Sequence, residues 1–243
     1  MGWEATRDTD ADWRELGATQ PYWGVLSHPD YRMENLTPEA LEAFYASGRN
    51  HVDDILARFE QLFGGRPAGA ALDFGCGAGR LTEPMAEPMA ERMAEATGCD
   101  VAPGMLDLAR RRGGKALYVG ALPDGPFDWV NSFIVLQHIP PARGLGLVEA
   151  LLARLAPGGF ASLHMTLWRE PHLQPQPAPR WRRLAQGLRA GPPVGSISMY
   201  DYELSGVVKV FTRAGLGELH LVPTDHGGHH GAIVLGRRGG ASS

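Results

Sequence analysis

The sequence predicts an α/β fold, a doubly wound and mostly parallel sheet with a ligand site at the carboxyl ends of its strands. Apolar segments of strand length alternate with helical segments through the middle of the chain, which is typical of this architecture. The first of these strands, at 71–74, runs into a turn that contains three alternating glycines. Pro157, Gly158 and Gly159 end a helix before a fifth buried strand at 160–165. Ligands bind at the carboxyl ends of the strands in such sheets, which places the glycine turn at the predicted site.

The spacing of the glycines in this turn distinguishes two classes of ligand. Asp73 is followed by Gly75, Gly77 and Gly79, so the third glycine comes two residues after the second. Turns that bind the pyrophosphate of a dinucleotide read G-x-G-x-x-G, which puts the third glycine inside the following helix. Glycines let the backbone turn tightly and approach a ligand without a Cβ atom in the way. The spacing therefore favours a flat, polar ligand other than a nicotinamide dinucleotide.

The acid followed by alternating glycines resembles motif I of the class I methyltransferases that depend on S-adenosylmethionine (SAM). The resemblance implies that the turn passes under the amino acid part of SAM and that S-adenosylhomocysteine (SAH) is the product. It implies that Asp73, the three glycines and Arg80 are cofactor-binding residues. It also implies the family's Rossmann-like seven-stranded sheet, with five parallel strands and a C-terminal antiparallel pair.

The end of the second strand supplies a second match to the family. Asp100 follows Gly98 and Cys99, and a carboxylate offers two acceptor oxygens to the two neighbouring ribose hydroxyls. The resemblance makes Asp100 the ribose acid and places Val101 and Met105 beside the cofactor. An Asp that caps the following helix is the alternative interpretation, and the two roles are compatible.

The third and fourth strands complete the predicted cofactor site. Residues 116–120 are typical of a short buried strand, and the resemblance puts the adenine at the loop after it, at Ala121 and Leu122. Many relatives have an acid directly after that strand, whereas this chain has Ala121, so the adenine contact must come from elsewhere. The fourth strand resembles the family's Phe-Asp-x-Val segment from residue 127 onward. The resemblance places Ser132 and Phe133 beside the methionine half of SAM.

One departure from the family lies in the first helix of the core. Pro-Met-Ala-Glu at 84–87 is repeated at 88–91, which resembles a four-residue insertion. Four residues are close to one helical turn, so the methionines keep one face of the helix. Pro88 removes a helix hydrogen bond at a cost of about 3 kcal/mol. We therefore expect a kinked or lengthened helix that still permits cofactor binding.

Length, charge and cysteine content limit the classes of protein to which this chain can belong. A length of 243 residues with 44% hydrophobic content allows one sizeable core with appended segments. A net charge of −4 and a pI of 6.1 argue against a nucleic-acid partner. Cys76 and Cys99 indicate neither a disulfide framework nor a zinc site. Without a long apolar run or an apolar leader, the sequence predicts a soluble, cytoplasmic monomer or homodimer with no membrane partner.

Two appended segments are predicted to hold a small-molecule acceptor. Residues 1–65 are helix-like and are expected to form a lid, with one helix that starts at Thr37 and Pro38 and another from His51. The core at 66–243 carries a cap insertion at about 166–199, after which the next helix is expected to start at Tyr200 and Asp201. The substrate-binding candidates are aromatic residues of the lid and an arginine and a tryptophan of the cap: Tyr22, Trp23, Tyr45, Arg180 and Trp181. Packing of the lid on the core, and an exposed basic helix face in the cap, are the alternatives.

His138, after the fourth strand, is the first candidate for a general base, with His226 and Tyr45 behind it. Methyl transfer from a sulfonium is an in-line displacement, so the protein aligns an acceptor lone pair and excludes water. A hydroxyl or ammonium acceptor must also lose a proton, and a nearby histidine suits that task. Residues 225–231 contain three histidines and an acid, but their Gly-Gly pair predicts a turn and no metal site.

Two other functions share these motifs. With no external acceptor, the amino group of SAM could attack its own side chain and release methylthioadenosine, as in a cyclase or an aminocarboxypropyl transferase. A non-catalytic SAM-binding protein is the more distant alternative. Motif I does not distinguish these outcomes from O- or N-methylation of a small-molecule acceptor.

Overall fold

The computed structural model describes residues 8–86, 95–173 and 195–240, and these form a seven-stranded sheet with helices. The strands are β1 (Ala70–Phe74), β2 (Glu95–Cys99), β3 (Leu117–Val119), β4 (Phe127–Ser132), β5 (Leu155–Arg169), β6 (Glu218–Asp225) and β7 (His229–Arg237). The α-helices are α1 (Thr9–Thr19), α2 (Pro21–Val25), α3 (Pro38–Phe63), α4 (Thr82–Ala86), α5 (Pro103–Arg112), α6 (Pro141–Ala153) and α7 (Leu204–Arg213).

The sheet has the order β3-β2-β1-β4-β5-β7-β6. Strands β1 to β5 pair in parallel, and β7 is antiparallel to both of its neighbours, β5 and β6. This arrangement confirms the fold predicted from the sequence. The chain order reverses between β1 and β4, where Asp73 pairs with Asn131. Ligands in open α/β sheets bind at the carboxyl ends of the strands beside such a reversal.

Helix α3 packs its apolar face on the sheet beside this reversal. Thr37 caps it by accepting a hydrogen bond from the Ala40 N–H, and Pro38 occupies the first turn, as the sequence predicts. The helix runs without a break for 26 residues to Phe63, so the second helix expected from His51 is its later half. The fully buried Phe59 lies against the rings of Trp129 and Phe160.

Three elements differ from the sequence prediction. Strand β3 was expected to be buried, but it is an edge strand, so Leu117 is 52% exposed. Strand β5 continues to Arg169 because it stays paired with β7, which carries it into the segment predicted as a cap. Helix α7 begins at Leu204, three residues later than expected.

Helix α4 is described only as far as Ala86, so the predicted effect of the repeat lies outside the described residues.

The sequence also predicted the turn between the last two strands. Gly227 and Gly228, both with positive φ, connect β6 to β7 as expected. Within the described ranges, no helix has the length and apolar character needed to cross a membrane.

Candidate cofactor site

A cavity of about 240 Å³ lies at the carboxyl ends of β1, β2 and β4, and helices α1 and α2 contribute to its wall. Its lining includes eight residues of the predicted cofactor site: Gly75, Gly77, Arg80, Asp100, Val101, Met105, Leu122 and Phe133. The cavity therefore coincides with most of the site that the sequence places on motif I.

The glycine turn adopts a backbone that favours glycine. Gly75, Gly77 and Gly79 have φ values of 74°, 53° and 77°. A Cβ atom on Gly75 would lie 2.3 Å from Cγ2 of Val135, so the turn also needs the space that a side chain would fill. Gly75 and Gly77 line the cavity, whereas a Cβ on Gly79 would meet the hydroxyl of Tyr118. Gly79 therefore serves the packing of the turn on β3.

Asp100 ties the glycine turn to the end of β2. Its Oδ2 accepts a hydrogen bond from the Gly77 N–H at 2.9 Å, and its Oδ1 accepts one from the Ala102 N–H at 2.8 Å. Burial raises the pKa of this carboxyl, and the backbone donors oppose that shift. Each carboxylate oxygen has a second lone pair, so Asp100 can hold the turn and still accept from a ligand hydroxyl.

Asp73 has a different place from the one expected, because it is not among the residues that line the cavity. It is almost fully buried, and its carboxyl accepts hydrogen bonds from the Thr82 hydroxyl at 2.7 Å and the Asn131 amide at 2.9 Å. The Asn131 side chain accepts in turn from Ser162, which accepts from the Trp129 indole. The contacts of Asp73 thus join β1, α4, β4 and β5.

Arg80 is a buried cation in the cavity wall. Its side chain is 5% exposed, Nη1 donates to the Ser47 hydroxyl at 3.1 Å, and Nε has no hydrogen-bond partner among the described residues. Burial lowers its pKa to about 10, and the charge of Asp73 opposes that shift. Arg80 therefore stays protonated at neutral pH and has an N–H group available to an anion.

The residues after β4 form another part of the wall. Phe133, Ile134 and Val135 line the cavity, whereas Ser132 is fully buried and does not. Ile134 has a φ of 59°, a left-handed conformation that costs a β-branched residue about 1–3 kcal/mol. Backbone strain of this kind clusters at ligand sites, which agrees with the position of Ile134. In the loop after β3, Gly120 and Leu122 line the cavity and Ala121 does not.

Sequence reasoning missed the polar part of the wall that α1 and α6 supply. Thr9, Asp10 and Arg143 line the cavity. Arg143 donates from Nη1 and Nη2 to the two carboxylate oxygens of Asp10, each at 2.8 Å. The pair is separated by 133 positions in the chain, and no local motif marks either residue. Trp13 of α1 also lines the cavity.

Two of the predicted substrate aromatics, Tyr22 and Tyr45, are buried, and Trp23 is half-buried. Tyr22 and Tyr45 lie with Phe44 in a buried cluster of edge-to-face rings, and Trp23 packs under Arg32. These three predicted residues do not line the described cavity, so the packing alternative describes them better. Arg180 and Trp181 lie outside the described residues.

The three candidate bases differ in their surroundings. Tyr45 is buried, which raises its pKa and makes it a poor base, and its hydroxyl donates to the Ala78 carbonyl at 3.4 Å. Burial lowers the pKa of His138 to about 4, and its ring lies 4.9 Å from that of Trp13, with Nδ1 2.8 Å from the Ser198 carbonyl oxygen. His226 is exposed, and its ring lies 6.0 Å from that of the cavity residue Phe133.

The fold and the motif residues agree with a sequence comparison in which residues 71–159 match a family of methyltransferase domains. This match confirms the resemblance to class I, SAM-dependent methyltransferases seen in motif I.

Two relatives of known name match part of this chain. It is 32% identical over 123 residues to a ubiquinone biosynthesis O-methyltransferase of Bordetella avium (strain 197N), a match that covers 46% of this chain and 48% of the relative. It is 32% identical over 116 residues to the enzyme of that name from Xanthomonas campestris pv. campestris (strain B100), covering 43% and 46%. The matched region thus spans about half the length of these relatives.

Solved structures share the fold over more of the chain. Magnesium protoporphyrin IX methyltransferase from Synechocystis PCC 6803, crystallised with bound SAH, superposes with a TM-score of 0.62. The superposition covers 95% of this chain and 100% of that chain. Because the identity is 17%, this likeness supports the fold alone.

Proposed function

We propose that the protein is a SAM-dependent methyltransferase that transfers a methyl group to a small-molecule acceptor and releases SAH. The observation that carries the proposal is the cavity at the strand reversal, in which the glycine turn, Asp100 and Arg80 meet. The relatives named above are O-methyltransferases, which favours an oxygen acceptor. The negative net charge favours a small molecule over a nucleic acid.

Asp100, Arg80 and the glycine turn each match a part of SAM. Asp100 accepts hydrogen bonds from the ribose hydroxyls through its remaining lone pairs. The Nε–H of Arg80 donates to the carboxylate of the methionine moiety, since this N–H has no partner in the described protein. The backbone of Gly75 and Gly77 lies along the amino acid part, and Leu122 packs on the adenine.

The bound cofactor supplies a methyl group already activated on a sulfonium. The residues of this chain have to align the acceptor and exclude water. Helix α1 covers the cavity through Trp13 and the Asp10–Arg143 ion pair. We assign to residues 1–65 the role of a lid that holds the cofactor from this side.

Binding of SAH tests this proposal. Calorimetry on the wild-type protein should give a saturable 1:1 isotherm, and Asp100→Ala should weaken SAH binding at least tenfold, because ribose hydroxyls lose their acceptors. Asp107→Ala is the matched control, since Asp107 is an exposed carboxylate on the neighbouring helix α5 and pairs with Arg110. Absence of SAH binding by the wild-type protein would contradict the proposed function.

A further inference from the structure

Three histidines from distant parts of the chain meet around the cavity residue Phe133. Their rings lie at centroid distances from the Phe133 ring of 4.0 Å for His51, 5.1 Å for His164 and 6.0 Å for His226. His51 comes from α3, His164 from β5 and His226 from the turn after β6. The rings of His164 and His226 lie 5.2 Å apart. We call these three residues the histidine cluster.

The cluster extends from the surface into the core. His226 is exposed, His51 is half-buried and His164 is fully buried. Phe133 belongs both to this cluster and to the wall of the proposed SAM cavity. The two sites thus share one aromatic ring.

Two ring nitrogens of the cluster are buried without a hydrogen-bond partner in the described protein. These are Nε2 of His51 and Nδ1 of His164, while Nε2 of His164 lies 2.9 Å from the Thr224 hydroxyl. An unsatisfied buried polar group costs about 1–3 kcal/mol, and such groups are rare in native proteins. Two of them within one cluster indicate a site in which a polar ligand satisfies both.

The protonation state of the three histidines limits which polar ligand the cluster can bind. Burial lowers the pKa of His51 to about 4 and that of His164 to about 3, and partial desolvation of the ring lowers the pKa of His226 as well. The positive charges of Arg80 and Arg58 add to the effect on His51. All three rings are therefore neutral at neutral pH, so each has a lone pair that can accept from a hydroxyl.

The two carboxylates whose charges affect the histidine cluster have partners outside it. Asp54 pairs with Arg58, and Asp225 accepts a hydrogen bond from the Gly228 N–H. An ammonium group would enter a site in which the positive charges of Arg80 and Arg58 already act on His51, which disfavours it. A hydroxyl suits the site, since a neutral imidazole accepts its hydrogen bond.

We propose that His51, His164 and His226 bind the hydroxyl group of the methyl acceptor beside Phe133, and that the acceptor is a hydroxylated compound and not an amine. The inference rests on the proposed function and deepens it. The acceptor oxygen forms the new C–O bond as the C–S bond of the sulfonium breaks, and the electron pair of that bond stays on sulfur. The hydroxyl proton passes to the imidazole of the exposed His226, which releases it to solvent.

The test uses SAH-saturated protein and small probes that differ in one group. Benzyl alcohol, phenol and catechol carry a hydroxyl, and benzylamine is the ammonium counterpart of benzyl alcohol. The imidazole Cε1–H resonances are followed by NMR during titration. We expect the hydroxylated probes to shift the resonances of the histidine cluster, with His220 on β6 unmoved and benzylamine without effect.

Two variants and one control complete the design. His164→Phe and His226→Ala should each weaken binding of the hydroxylated probes at least tenfold and leave the SAH affinity within twofold of wild type. His220→Ala, on the edge strand, should change neither affinity. His226 lies in an exposed turn, so His226→Ala keeps the test valid if His164→Phe does not fold.

The outcomes separate the two proposals. Failure of the wild-type protein to bind SAH would overturn the proposed function. Normal SAH binding with cluster resonances that no hydroxylated probe moves, or that benzylamine moves equally, would overturn only the histidine site. Probe binding that survives both substitutions in folded protein would overturn it as well.

Discussion

At the scale of single residues, Gly75 leaves no room for a side chain between the end of β1 and the segment after β4. Its backbone is left-handed, and Cγ2 of Val135 occupies the place of a Cβ atom. Gly75→Ala should therefore displace the turn, weaken SAH binding at least tenfold by calorimetry and destabilise the protein by about 1–3 kcal/mol. Unchanged SAH affinity would contradict the assignment of this turn to the cofactor.

Gly146 provides the matched control for that substitution. It lies in α6, and a Cβ atom there would meet no heavy atom within 4 Å apart from its chain neighbours and the backbone of its own helix. Gly146→Ala should leave SAH binding unchanged and raise the free energy of unfolding by up to about 1 kcal/mol, because alanine favours the helix. The comparison separates the loss of a particular glycine from a general effect of adding a methyl group.

His138 predicts a pH dependence of stability. Its folded-state pKa of about 4 lies below the ordinary 6.5, so the unfolded chain binds a proton at a higher pH than the folded protein does. The stability that neutral His138 contributes is present above pH 6.5 and is lost as pH falls from 6.5 to 4.

Denaturant unfolding at several pH values measures this contribution. His138→Gln should reduce the loss of stability between pH 6.5 and 4 by about 2–3 kcal/mol relative to wild type. The pH dependence of stability that remains in this variant is expected to come from His51 and His164, since burial lowers their pKa values too. An unchanged pH profile in the variant would contradict the buried, neutral state of His138.

At the scale of elements, the ion pair between α1 and α6 holds the proposed lid over the cavity. Asp10→Asn or Arg143→Met should speed SAH dissociation about two- to fivefold, as expected for one partly exposed pair. Stopped-flow measurement should find the double variant no faster than either single variant, because both remove the same interaction. Additive effects would show that the two residues act separately.

Arg66→Met is the control for the lid variants. It breaks an exposed ion pair with Glu60, which lies near the end of α3 and outside the cavity wall. We expect the same SAH dissociation rate as in wild type. An equal acceleration in this variant would mean that loss of any surface ion pair affects SAH release.

Local signals made some elements predictable from the sequence. The start of α3 follows from Thr37 and Pro38, and the glycine turn follows from spacing, because each depends on neighbours within a few positions. The Asp10–Arg143 pair depends on how separate elements pack, and no pattern in the sequence marks it. Tyr22 was predicted to contact substrate because an aromatic side chain suits a pocket wall and a core equally well.

At the scale of the whole molecule, ligand binding should raise global stability. The cavity draws on α1, α2, α5 and α6 and on the ends of several strands, so a bound ligand connects most of the fold. SAH at 100 times its Kd should add about 2.7 kcal/mol to the free energy of unfolding. For a chain of this size, that corresponds to an increase in Tm of about 5–10 °C in calorimetry. No increase at saturation would contradict binding to the folded state.

Methyl transfer itself tests the central claim most directly. The protein is incubated with methyl-labelled SAM, first alone and then with pooled hydroxylated and amine acceptors, and the products are identified by mass spectrometry. We predict that SAH forms only when a hydroxylated acceptor is present and that this acceptor gains the labelled methyl group. Methylthioadenosine formed from SAM alone, with no labelled acceptor, would contradict the claim and make SAM itself the substrate.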